Sequence, residues 1–141
     1  MTHTLTKTVI FAAPPDLVWS YLTNQEKLGT WYHPAEADLA PGQPYRLMGT
    51  SDEGAPKAII TGDVLEWEPP LRLVTTFSIP PFGDATTKVT WDLTEMAGGT
   101  RLTMTHSGIT EAAGEAVMSL MQALDVGWDG HLGDLRKACA A

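Results

Sequence analysis

Four histidines, one cysteine and an unusual number of large rings are the residues of this chain that bear on chemistry, and His106 is the most informative of them. It lies in LTMTHSGI, Leu102 to Ile109, where every second residue faces one way, so an imidazole takes a place in the row that Leu102 and Met104 fill with apolar side chains. One donor and one acceptor must then be satisfied. The group can carry a proton, orient a ligand, or serve as a structural histidine held by a backbone carbonyl where the strand ends, and the last is the favoured reading of the residue alone. His33 follows Trp31 and Tyr32 in a segment expected over a cavity entrance, His131 stands beside Trp128 in the last segment, and His3 is near the N-terminus. No two histidines stand four apart on one helix and Cys139 belongs to no motif, so no metal site and no cofactor are expected. The chain has no nucleophile elbow and no Gly-rich phosphate loop. Asp63 and Glu66, an odd number apart in one strand, are expected on opposite faces, which precludes a carboxylate pair.

The second chemical signal is collective. Trp31, Tyr45, Phe77 and Trp91, with Met104, Met121, Leu124 and Trp128, fall on elements expected to face one another. Any one of them alone reads as core. Small cores fill with Leu, Ile and Val, whereas flat rings and flexible methionines gathered together suit an adaptable apolar pocket. Such a pocket would take a hydrophobic or aromatic molecule, with His106, Tyr45 or Thr75 orienting its polar end. Trp19 and Tyr21 are assigned to packing, and the acidic residues of the last segment to its solvated face.

Composition narrows the classes. A chain of 141 residues fits one domain, residues 1–141, and with 43% apolar and 18% charged residues it is globular. Seventeen acidic residues against nine basic ones give a net charge of −8 without any basic cluster, so nucleic acid is excluded as a partner. The N-terminus MTHTLTKT lacks the apolar core of a signal peptide, and no apolar run approaches the ~20 residues that span a bilayer, so no membrane insertion is expected. With a single cysteine nothing calls for an oxidising compartment, and a cytoplasmic location is expected. A homodimer is compatible with the chain, though no heptad signals one.

The elements that must position these residues follow from periodicity and turn chemistry. Leu5 to Phe11 reads as a strand with Leu5, Val9 and Phe11 on one face, stopped by AAPP. A helix over Pro14 to Thr23 and a second, capped by Asn24 and running through Leu28 to Trp31, come next, then a loop from Pro34 to Pro44. Strands are predicted at Tyr45 to Gly49, Ala58 to Trp67, Leu71 to Ser78, Thr87 to Glu95 and Thr100 to Ser107, an antiparallel meander. Val117, Leu120, Met121, Leu124, Trp128, Leu132 and Leu135 then recur at three- and four-residue steps, predicting a long amphipathic helix from Glu115 to Cys139. Gly127, Gly130 and Gly133 inside it are expected to allow a bend or a close approach to the sheet.

The segments APPDLVWSYLTNQEKLGTWY, LAPGQPYRL, GDVLEWEPPLRLVTTF, VTWDL, GGTRLTMTHSGI and GWDGHLGDL, in that order, resemble the successive signatures of the homologues of the heat-shock-protein-90 ATPase activator. That family lies within the superfamily of START domains, polyketide cyclases and the birch-pollen allergen, and the resemblance runs from about Val9 to Leu135. It implies an α+β helix-grip fold, in which a curved antiparallel sheet wraps around a long C-terminal helix and two short helices follow the first strand. It also implies a cavity between sheet and helix. The eukaryotic activator carries a further chaperone-binding domain for which this length has no room, so a chaperone partner is not expected. The expectation is a small-molecule binding protein rather than an enzyme. The alternatives are a cyclase or hydratase using His106 as acid or base, and a chaperone-associated interaction module.

Overall fold

The computed structural model describes residues 4–82, 85–109 and 117–140. In chain order the elements are β1 (Leu5–Phe11), α1 (Pro15–Thr23), α2 (Gln25–Trp31), β2 (Pro44–Thr50), β3 (Pro56–Glu68), β4 (Arg72–Phe77), a 3₁₀ turn (Pro80–Phe82), β5 (Thr87–Met96), β6 (Gly99–Ser107) and α3 (Val117–Ala140). All six strands form one antiparallel sheet in the order β1-β6-β5-β4-β3-β2. The two helices after β1 and the long α3 lie on its inner side, and α3 packs against β1, α1 and α2.

Local chemistry accounts for the elements. Pro15 sits in the first turn of α1, where a missing N–H costs nothing, and the helix buries Val18, Trp19 and Leu22. The Asn24 side chain accepts hydrogen bonds from the backbone N–H groups of Glu26 and Lys27, both at 3.0 Å, and so starts α2. Period-two alternation places Val89 opposite His106, Trp91 opposite Met104 and Leu93 opposite Leu102, with all six side chains buried. On α3, Trp128, Leu132, Leu135 and Cys139 are buried at helical spacing, whereas Leu120, Met121 and Leu124 upstream are only half-buried. The expected start of this helix at Glu115 lies outside the described residues.

Four expectations are corrected. The pairing of β3 with β4 shifts from Val64 opposite Thr75 to Glu66 opposite Val74, a bulge that leaves Leu65 unpaired. The extra residue cancels the odd spacing, so Asp63 and Glu66 share the outer face. On that face Glu66 is paired with Arg72 at 3.3 Å. The same bulge turns Trp67 to the core, where its ring meets Trp19 edge-on at 5.2 Å.

The acidic residues of α3 are not all solvated. Lys7 stands in the inner row of β1, opposite Met104, and its ammonium bridges Asp125 at 2.6 Å and Asp129 at 2.9 Å. Hydrogen bonds from Lys7 to those two carboxylates, one helical turn apart, raise its pKa above the ordinary value. Of the bend or close approach expected of the glycines of α3, the close approach is not made: a Cβ at Gly127, Gly130 or Gly133 would meet nothing within 4 Å. The fourth correction concerns His106, whose partners are side chains rather than a backbone carbonyl.

Candidate functional site

The centre of the inner face is built around Trp128. Its ring lies 5.6 Å from Tyr32, 5.6 Å from Trp91, 6.2 Å from Phe77 and 6.0 Å from His106, measured between centroids. Trp31 meets Trp91 edge-on at 6.2 Å and stacks on Tyr32 at 5.0 Å. These are edge-to-face and offset geometries that aromatic quadrupoles favour. Five elements contribute: α2 and the residue after it bring Trp31 and Tyr32, β4 brings Phe77, β5 brings Trp91, β6 brings His106, and α3 brings Trp128.

His106 is fully buried and both its nitrogens are engaged. The Thr87 hydroxyl donates to the Phe77 carbonyl at 3.0 Å, so the 2.7 Å contact between Thr87 Oγ1 and His106 Nε2 has the imidazole N–H as its donor. Nδ1 is then the acceptor, and Trp128 Nε1–H donates to it at 3.0 Å. The chain of bonds runs one way, from Trp128 through His106 and Thr87 to Phe77. Burial pushes the His106 pKa down to about 4, since a proton on Nδ1 would be desolvated and would face another N–H. The residue is a neutral strut that locks the Trp128 indole to the sheet.

Between the rings is a cavity of about 40 Å³, too small for more than a water or two. Of the residues singled out from sequence, Trp31, Tyr45, Thr75, Phe77, Trp91 and Trp128 line it. Leu124 lines an adjoining mouth instead, a space of about 150 Å³ that shares Tyr32, Ile60, Phe77 and Trp128 with the inner cavity. Met104 and His106 lie buried outside the linings, and Met121 is half-buried on α3 and touches neither space. Tyr32 escaped sequence reasoning although it is common to both spaces; its place beside Trp31 in TWYH was the available signal. His33 and His131 face the mouth, 5.7 Å apart between ring centroids.

The polar groups inside are few. Tyr45 donates from its hydroxyl to the Thr76 carbonyl at 2.6 Å, and burial raises its pKa well above the ordinary phenol value. That bond depends on Gly62. A side chain there would collide with the Thr76 carbonyl and come within 2.8 Å of the Tyr45 ring. Burial also raises the Tyr32 phenol, so both tyrosines remain protonated donors at neutral pH. Among the described residues no three of His, Cys, Asp and Glu converge as a metal site would require. The inner cavity is apolar, walled by rings and ordered by a few hydroxyls, a setting suited to holding an apolar molecule rather than to moving protons.

A six-stranded antiparallel sheet gripping a long C-terminal helix, with an aromatic cavity between them, defines a helix-grip protein. The chain belongs to the family described as activator of Hsp90 ATPase homolog 1-like protein, whose model matches residues 12–140. Among solved structures it is similar to CalU16 from Micromonospora echinospora, at 25% identity and a TM-score of 0.77 over 98% of this chain and 76% of that one. It is also similar to DynU16, a protein in the dynemicin biosynthetic locus, at 26% identity and a TM-score of 0.73, over 95% of this chain but 46% of that one. Protein MLL2253 from Mesorhizobium loti, 24% identical, shares the fold with a TM-score of 0.78 over 96% of each chain. No curated protein matches the chain in sequence. Among the described residues no helix is long and apolar enough to cross a membrane.

Proposed function

We propose that this protein binds a small hydrophobic or aromatic molecule between the sheet and α3, entering at the mouth beside Trp128. The observation that carries the reading is the ring-walled cavity, continuous in its lining with a larger mouth. Apolar burial supplies the affinity, about 25 cal/mol per Å² less the cost of ordering ligand and side chains, which places micromolar binding within reach. The inner space is smaller than a ring, so the ligand lies mainly in the mouth and presses against Tyr32, Phe77 and Trp128. Similarity to proteins such as DynU16 agrees with a ligand of secondary-metabolite type. The saturated, neutral His106 weighs against a cyclase or hydratase that would need it as acid or base.

Gly127 provides a clean test. It lines the mouth, and a Cβ there would meet nothing within 4 Å, so Gly127→Leu adds bulk at the site and gains helix propensity. Aromatic and lipid-like compounds are to be screened by tryptophan fluorescence and thermal shift. The expected result is that compounds stabilise the natural protein and quench its tryptophans, and that Gly127→Leu abolishes both effects while remaining folded. If no compound stabilises the natural protein, or if all do so equally well in Gly127→Leu, the binding site is elsewhere or absent.

A further inference from the structure

The mouth differs from the inner cavity in one respect: it carries two imidazoles. His33, just beyond α2, and His131, on α3, approach with ring centroids 5.7 Å apart, and Tyr32 packs beside both, 4.8 Å from His33 and 4.6 Å from His131. Among the described residues, the rest of the lining beyond Tyr32 is apolar: Ile60, Phe77, Ile79, Leu124, Gly127 and Trp128. We propose that His33 and His131 form a head-group site for an organic carboxylate whose single aromatic ring lies against Tyr32, Phe77 and Trp128. This rests on the ligand-binding reading above and names the ligand class for it.

Three observations support an acid. Two imidazoles on separate elements offer a pair of N–H donors to the two oxygens of one carboxylate, and such bonds are strongest when both partners are charged. Burial and the neighbouring His131 both lower the His33 pKa, so an anion between the rings removes an existing repulsion and favours protonation. The volume fits as well: about 150 Å³ in the mouth matches the size of cavity that takes up benzene, roughly 150 Å³. Among the described residues, several charged groups of the neighbouring elements are engaged elsewhere. Asp125 and Asp129 of α3 are bound to Lys7 of β1, Asp134 and Lys137 line a separate surface depression, and His106 lies under Trp128 as a neutral group. The overall charge of −8 opposes anions at long range, but salt screens it beyond roughly 8 Å at physiological ionic strength.

The test compares phenylacetate with phenylacetamide, the same ring with and without the charge, by calorimetric titration at pH 5.5 and 7.5. Over this range the carboxylate stays ionised and His106 stays neutral, so neither accounts for a difference between the two pH values. Phenylacetate is expected to bind about tenfold tighter at pH 5.5 than at 7.5, with proton uptake revealed by buffers of different ionisation enthalpy. The His33→Gln/His131→Gln double variant should lose that preference while still binding the amide, which shows that its pocket is intact. Amide binding should be independent of pH. If acid and amide bind alike, or if the acid's pH dependence survives in the double variant, the head-group site is overturned and the apolar pocket stands. If neither compound binds the natural protein, the head-group site is overturned, and the broader screen against Gly127→Leu decides the binding reading separately.

Discussion

At the scale of a single residue, His106 makes stability depend on pH in the acid range. Its folded pKa of about 4 lies below the ~6.5 of an unfolded histidine, so between these values the unfolded chain holds a proton that the folded one refuses. Stability therefore rises with pH across that window: the contribution is fully present above about 6.5 and is lost as pH falls towards 4. From about pH 7 to 4.5 the loss assignable to this residue is about 2 kcal/mol, because one proton taken up on unfolding costs the folded state about 1.4 kcal/mol for each pH unit crossed. Urea unfolding of the natural protein and of His106→Gln at both pH values measures it as a double difference. Equal pH dependence in the two proteins would show that the imidazole is not held neutral. The inward direction of His106 was legible from the alternation Leu102, Met104, His106; its partners Thr87 and Trp128 are 19 and 22 residues away and were not.

Helix α3 makes two predictions at the scale of the element. Gly130 and Gly133 are exposed and have open space where a Cβ would be, so each gives up helix propensity without a packing return. Gly130→Ala and Gly133→Ala should each raise stability by up to about 1 kcal/mol in denaturant unfolding. A loss in either would mean that the glycine serves a contact or a bend after all. The clasp of Lys7 between Asp125 and Asp129 ties α3 to β1, but both carboxylates are about half or more exposed, with side-chain exposures of 49% and 63%. Asp125→Asn/Asp129→Asn should cost only about 1 kcal/mol, and the cost should shrink at about 1 M salt. Helical periodicity revealed the apolar stripe of α3 but could not pair its acids with a lysine 118 residues before the first of them.

For the whole molecule, binding is linked to stability. A ligand at about one hundred times its Kd raises the unfolding free energy by about 2.7 kcal/mol, which the thermal-shift series above should approach for a saturating compound and which Gly127→Leu should not show. What the sequence by itself determined is the architecture: short-range alternation, Asn24 and the prolines, helical spacing and the ordered signatures suffice for six strands, two short helices and a long one. It also picked out six of the residues that line the inner cavity, because large rings on inward rows must meet when a sheet closes on a helix. Tertiary structure alone decided the rest. The bulge at Leu65 reverses the parity of β3, the direction of the Trp128–His106–Thr87 bonds makes the histidine a strut, and the fold brings His33 and His131 to one mouth. Each of these depends on pairing between residues distant in sequence, and local periodicity carries no information about such partners.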